Sequence, residues 1–131
     1  MRLSPILRLL AAGMVVVGGV IHYDLWSGGY RGIPSIGPLF IVNVVASAVI
    51  AAALALTGRG PVLLAGLLLS VGSLAALLAS RTVGLLGFVE GWTDASLEVV
   101  AAEIGAVVAL TSCMVARARE HAGPRPHPAH V

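Results

Sequence analysis

Apolar residues occupy this chain in four long runs, Ile6 to Trp26, Pro38 to Thr57, Pro61 to Ser80 and Ala95 to Ala116, with short polar or glycine-rich connections between them. A helix needs about 20 predominantly apolar residues to cross roughly 30 Å of hydrocarbon, so each run reads as a membrane span. Between the second and third lies only Gly58-Arg59-Gly60, and Pro61 follows where a helix tolerates a missing N–H. These two helices therefore form an antiparallel hairpin. The connection from Ser27 to Gly37 is rich in Gly and Pro, whereas that from Arg81 to Asp94 carries the apolar stretch Val83 to Val89. That stretch is too short to span, and is expected to lie in the interface or dip back into the bundle, where irregular backbone is tolerated against protein or water.

The pattern predicts an all-α fold: a four-helix transmembrane bundle over residues 1–116, with helices at about 6–26, 38–57, 61–80 and 95–116. A tail over 117–131, rich in Pro and His, reads as a disordered cytoplasmic end. Met1 to Arg8 followed by an apolar run resembles a signal peptide. The run exceeds the usual h-region of about 7–15 residues, however, and His22, Tyr23 and Asp24 follow it in an order unlike a cleavage site. The first helix is expected to stay.

Composition agrees with a membrane location. The chain is 58% hydrophobic and 11% charged, against about 45–50% and about 25% for soluble domains, and its mean hydropathy is +0.99. Its 16 glycines favour close helix packing. The net charge of +2 raises the question of a nucleic-acid partner, but all eight basic residues are arginines at segment ends and form no basic stripe. Topology explains them better. Arg2, Arg8, Arg59, Arg117, Arg119 and Arg125 share one side, against Arg31 and Arg81 on the other, which places both termini in the cytoplasm. Trp26, Tyr30 and Trp92 then fall at the outer aromatic belt. The single cysteine, Cys113, lies inside the last span and excludes an intrachain disulfide.

Polar residues within spans are costly and are functional candidates by default. His22 closes a stripe formed with Gly19, Gly18, Val15 and Ala11, with Trp26 one turn ahead. It is either a metal or haem ligand or proton-exchanging group, or a structural histidine. Asn43, in line with Phe40, Ala46, Ser47 and Ala51, reads as interhelical glue. Asp94 and Glu98 stand on a small-residue face with Ala101, Ala102, Gly105 and Ala109, expected to pack inward, and Asp94 doubles as an N-cap. Glu103 lies about 140° around the helix from Glu98. It is expected either at the flank of the bundle, bonding Ser70 or Ser73, or facing a second copy or another membrane protein. Gly72, Ala76 and Ser80 repeat every fourth residue in a packing pattern. The histidines of the tail, His121, His127 and His130, are too irregularly spaced to suggest a metal site. The chain has no lysine, hence no phosphate loop of the usual kind, and no CxxC or nucleophile elbow.

The run His22-Tyr23-Asp24-Leu25-Trp26, followed by Gly29-Tyr30, Ile33-Pro34, Ile36-Gly37, Leu39-Phe40 and Asn43, and then by Gly84 to Phe88 and Glu90, resembles a group of small four-helix membrane proteins of actinobacteria. The resemblance implies topology and no activity. The DoxX-like four-helix proteins are similar in size, and no residue roles are carried over from them. The leading expectation is a non-enzymatic protein of the cell membrane, surrounded by lipid bilayer, that forms a homo-oligomer or joins a larger membrane complex through Glu103 and the Gly72, Ala76, Ser80 face. The alternative is a ligand-binding or proton-linked protein with an outer-leaflet pocket of His22, Asn43, Asp94, Glu98, Trp26 and Tyr30, holding a metal ion or haem at His22. No cofactor is named by the sequence.

Overall fold

In the computed structural model, which describes residues 3–123, the chain forms four helices: α1 (Pro5–Gly28), α2 (Ile36–Leu56), α3 (Gly60–Arg81) and α4 (Asp94–Ala122). All four are long and apolar enough to cross a membrane. The protein is an all-helical, multi-pass membrane protein.

Local chemistry sets the helix ends. Pro5 and Pro61 sit in the first turns of α1 and α3, where the missing N–H and fixed φ cost nothing. At the start of α4, Thr93 and Ser96 form a capping box. The cap is therefore Thr93, one residue before Asp94, which was expected to serve; Asp94 is the first helical residue instead. Between α1 and α2 the chain turns through a short 3-10 segment, Tyr30–Gly32. A side chain at Gly37 would place its Cβ 2.7 Å from the Arg31 carbonyl oxygen, so this turn requires glycine. The stretch Val83 to Val89 neither spans nor re-enters. It folds as a tight antiparallel turn in which Leu85 and Phe88 exchange backbone hydrogen bonds, with φ of 51° at Leu86 and 83° at Gly87, the positive pair that a primed hairpin turn demands.

α4 runs through Arg117 to Ala122, past the expected end at 116. Arg117 is anchored there, its Nη1 donating to the Gly58 carbonyl at 2.8 Å. The rest of the expected tail, 124–131, including His127 and His130, lies outside the described residues. Leu3 beside Gly58 and the Cys113 thiol donating to the Leu7 carbonyl at 3.5 Å complete this end. It joins the start of α1, the α2–α3 turn and the end of α4.

The helices form an antiparallel ring. α1 packs on α2 and α4, and α3 on α4, while α2 and α3 are the most loosely packed neighbours despite their short connection. The dry core sits toward the end holding the termini: Ala11, Ala12 and Val15 meet Ala51, Leu54, Leu63, Ala106, Leu110 and Cys113. Small residues make the closest approaches. At Gly19 an added Cβ would stand 2.8 Å from Ser47 Cβ. Gly19→Ala is therefore expected to push α1 from α2 and cost about 1–3 kcal/mol. At Gly13, where a Cβ meets nothing within 4 Å, the same change should be neutral or stabilising. Unfolding of both variants in detergent micelles checks the contrast.

Candidate functional site

Toward the opposite end the ring is polar inside. Each helix contributes: His22 from α1, Asn43 and Ser47 from α2, Ser70 and Ser73 from α3, and Glu103 from α4. All are buried except Ser73, which is half-buried. No water is available in hydrocarbon, so these groups must satisfy one another. Ser47 Oγ donates to Asn43 Oδ1 at 3.2 Å, and Asn43 Nδ2 donates to Ser73 Oγ at 2.7 Å. His22 Nδ1 lies 2.8 Å from the Gly18 carbonyl oxygen and 3.9 Å from Glu103 Oε1. Glu103 fits because Gly18 has no side chain: a Cβ there would stand 3.4 Å from the carboxyl oxygen. Its polar neighbours on α3 are Ser70 and Ser73.

Above this layer is a cavity of about 290 Å³. Its polar lining includes His22, Asn43, Ser73, Ser80, Tyr30 and Arg81, and its apolar walls come from α2, α3 and the turn carrying Leu85 and Phe88. Aromatic rings cluster over it. Tyr30 stacks on Phe40 at 5.0 Å, Phe88 meets Tyr30 edge-on at 6.0 Å, and His22 lies tilted against Phe40 at 5.3 Å.

Of the residues expected in an outer pocket, His22, Asn43 and Tyr30 line this cavity. Trp26 does not, and packs beside Tyr23 instead. Asp94 and Glu98 are exposed and face away, together with Ala101. α4 is thus turned partway from the expected setting: Ala102 of the expected face is buried and Ala109 packs against the core, but the buried face is centred on Ser96, Val99, Glu103, Ala106 and Leu110. The physical reason is depth. Asp94 and Glu98 occupy the first turns of the span and can reach interfacial water, whereas Glu103, further in, would meet hydrocarbon if it faced outward. Glu103, at 4% exposure, accordingly faces the interior of the bundle, beside Ser70 and Ser73. Gly72, Ala76 and Ser80 line the cavity rather than a helix contact. Among the described residues no three His, Cys, Asp or Glu side chains converge as metal ligands, and His22 has only Glu103 nearby.

The clasp over the cavity has no counterpart among the expected site residues, apart from Tyr30. Glu90 Oε2 accepts from Tyr30 Oη and from Arg81 Nη1, both at 2.5 Å, joining the α1–α2 connection, the end of α3 and the α3–α4 connection. The Glu90 N–H also donates to the Ser80 carbonyl at 3.0 Å. Partial burial works against the Glu90 carboxylate, but the hydrogen bonds from Tyr30 and Arg81 and the Arg81 charge outweigh it and hold the pKa below the ordinary value. Burial, and then the Glu90 carboxylate, raise the Tyr30 phenol, so it remains a donor at neutral pH.

A lowered carboxyl pKa contributes stability above its unfolded value of 4.5, and loses it as pH falls through the folded value. Glu90→Gln should cost about 1 kcal/mol or less at pH 7, given the partial exposure of the pair, and should flatten the loss of stability below pH 4.5. Thermal unfolding of both proteins from pH 7 to pH 3 in detergent is the check. Comparison with family models, with characterised proteins and with solved structures gives no match for this chain, so the site is read from its own geometry.

Proposed function

We propose that this is a non-enzymatic membrane protein that binds a lipophilic ligand in the cavity at the loop end of the bundle, with access from the bilayer between α2 and α3. The observation that carries the reading is the rim. Leu39 and Val42 of α2 and Leu68 and Gly72 of α3 line the cavity and are also exposed on the outside of the bundle. The hollow is thus continuous with the lipid-facing surface along the loosest helix seam. The clasp of Tyr30, Glu90 and Arg81 meanwhile ties together the connections beside the cavity. Pockets that are mostly apolar with a few convergent polar groups are the usual form of a small-molecule site. Self-assembly through Glu103 and the Gly72 face has less support, because the first is buried and the second borders the cavity.

The excess of arginines at the end with the α2–α3 turn supports a cytoplasmic position for that end and an outer-leaflet position for the cavity. On this reading, in a protein with Cys113 replaced, a cysteine at exposed Ser27 should react with a membrane-impermeant maleimide in intact cells. One at exposed Gly123 should react only after lysis. The reverse pattern would place the cavity in the inner leaflet.

Gly72 gives the direct test of binding. A Cβ there meets nothing within 4 Å, so a side chain at Gly72 starts in open space at the mouth of the cavity, and Gly72→Leu is expected to obstruct it. Native mass spectrometry of protein released from its own membrane is expected to show a co-purifying small lipophile on the parent and none on Gly72→Leu, at equal thermal stability. The same adduct on both, or a bound metal or haem in its place, would overturn the reading.

A further inference from the structure

The wall of the cavity specifies what kind of head group it can hold, given the binding reading above on which this inference rests. His22 Nδ1 sits 2.8 Å from the Gly18 carbonyl. A carbonyl oxygen only accepts, so Nδ1 carries the hydrogen, and the neutral ring presents Nε2 as an acceptor. Nε2 has no partner among the described residues. The buried side-chain atoms that lack both a partner and open space are Arg8 Nε and Arg81 Nε. His22 Nε2 is not one of them, so it is not fully enclosed, and the ring lines the cavity. Asn43 is the complement. One Nδ2 hydrogen goes to Ser73, and Oδ1 accepts from Ser47, which leaves the second Nδ2 hydrogen unused among the described residues. Between them these two side chains keep one unused acceptor, His22 Nε2, and one unused donor, the second Asn43 N–H.

A group that donates and accepts through one atom is a hydroxyl. Charge points the same way. Among the described residues Arg81 is the one with a permanent charge lining the cavity, and its guanidinium is paired with Glu90 at 2.5 Å. An anionic head would find no unpaired cation. A cationic head would find no carboxylate in the lining, since Asp94 and Glu98 are exposed elsewhere and Glu103 is not among the residues that line the cavity. Volume adds a limit. About 290 Å³ lies at the small end of ligand pockets, about 300–1,000 Å³, enough for a head group and its adjoining carbons. The remainder of a lipid must leave through the seam at Leu39, Val42, Leu68 and Gly72.

We propose that the ligand is an uncharged lipid alcohol whose hydroxyl donates to His22 Nε2 and accepts from Asn43 Nδ2, with its apolar body lying along the α2–α3 seam. The rings of Tyr30, Phe40 and Phe88 keep water from these two hydrogen bonds, which strengthens them. The same hydroxyl chemistry occurs on acylglycerols and on prenols, and the two are distinguished by the probes below.

The test is a native mass-spectrometric titration of the delipidated full chain in detergent with 1,2-dioleoylglycerol, geranylgeraniol, geranylgeranyl methyl ether and oleate. The expected result is one equivalent of an alcohol bound. If the alcohol is the prenol, it should bind about tenfold more tightly than its ether, which cannot donate. Preference between the two alcohols identifies the source. His22→Phe should weaken alcohol binding by about the same factor and leave the ether unchanged. Ether bound as tightly as geranylgeraniol, or oleate bound more tightly than either alcohol, would overturn the hydroxyl assignment while leaving the cavity a binding site. Binding of none of the four overturns the assignment as well. The binding reading itself falls only if the adduct from native membranes is also missing or survives in Gly72→Leu.

Discussion

A carboxyl group well inside a hydrocarbon-spanning helix has to face protein, and the rotational setting of α4 follows from that requirement. Glu103 points at α1, where Gly18 leaves room for its oxygens and His22 lies beside it. Once Glu103 is inward, so are Val99, Ala106 and Leu110, one turn or two along the same face. Ala101 and Ile104 then go outward, at no cost in lipid. The polar layer across the other helices answers the same demand. Asn43, Ser47 and Ser73 close on one another instead of leaving amide and hydroxyl groups unpaired in an apolar medium.

This layer divides the bundle into two unlike halves. On one side Ala, Leu and Val pack without polar partners, and the end is closed by the Leu3, Gly58 and Arg117 contacts. On the other, α2 and α3 stand apart and the space between them is roofed by aromatic rings and by a carboxylate clasp. Rigid packing in the first half is what lets the second remain hollow. Apolar cavities cost stability in proportion to their size, and here the closed half holds the helices in place.

Much of the architecture could be read from the residues. Four apolar runs of the right length fixed the spans, and the glycines ahead of His22 marked the buried face of α1, which includes Ala11, Val15, Gly18 and Gly19. Asn43 with Ser47 and Ala51 marked that of α2 in the same way. The face of α4 could be read only in part, because two criteria disagreed there: the small-residue stripe centred on Ala101, Ala102 and Gly105 pointed one way, and the mid-span carboxyl turned the helix away from it, keeping Ala102 buried. In lipid, exposing Ala101 is free and exposing Glu103 is not, so the carboxyl decides. The clasp was out of reach for a different reason. Tyr30 and Glu90 are 60 residues apart, and nothing periodic relates two loop residues whose meeting depends on how four helices close.

The three-residue connection between α2 and α3 has a mechanical side. Two helices of 21 and 22 residues joined at one end act as levers about 30 Å long, with their pivot at Thr57 to Arg59. A rotation of about 5° at that pivot moves the far ends by roughly 2.5 Å over such a length. The Arg117 bond to Gly58 sits on the pivot, and the Arg81–Glu90–Tyr30 contacts sit at the tip of α3. Stiffness at the first and grip at the second together set how far the jaws can part.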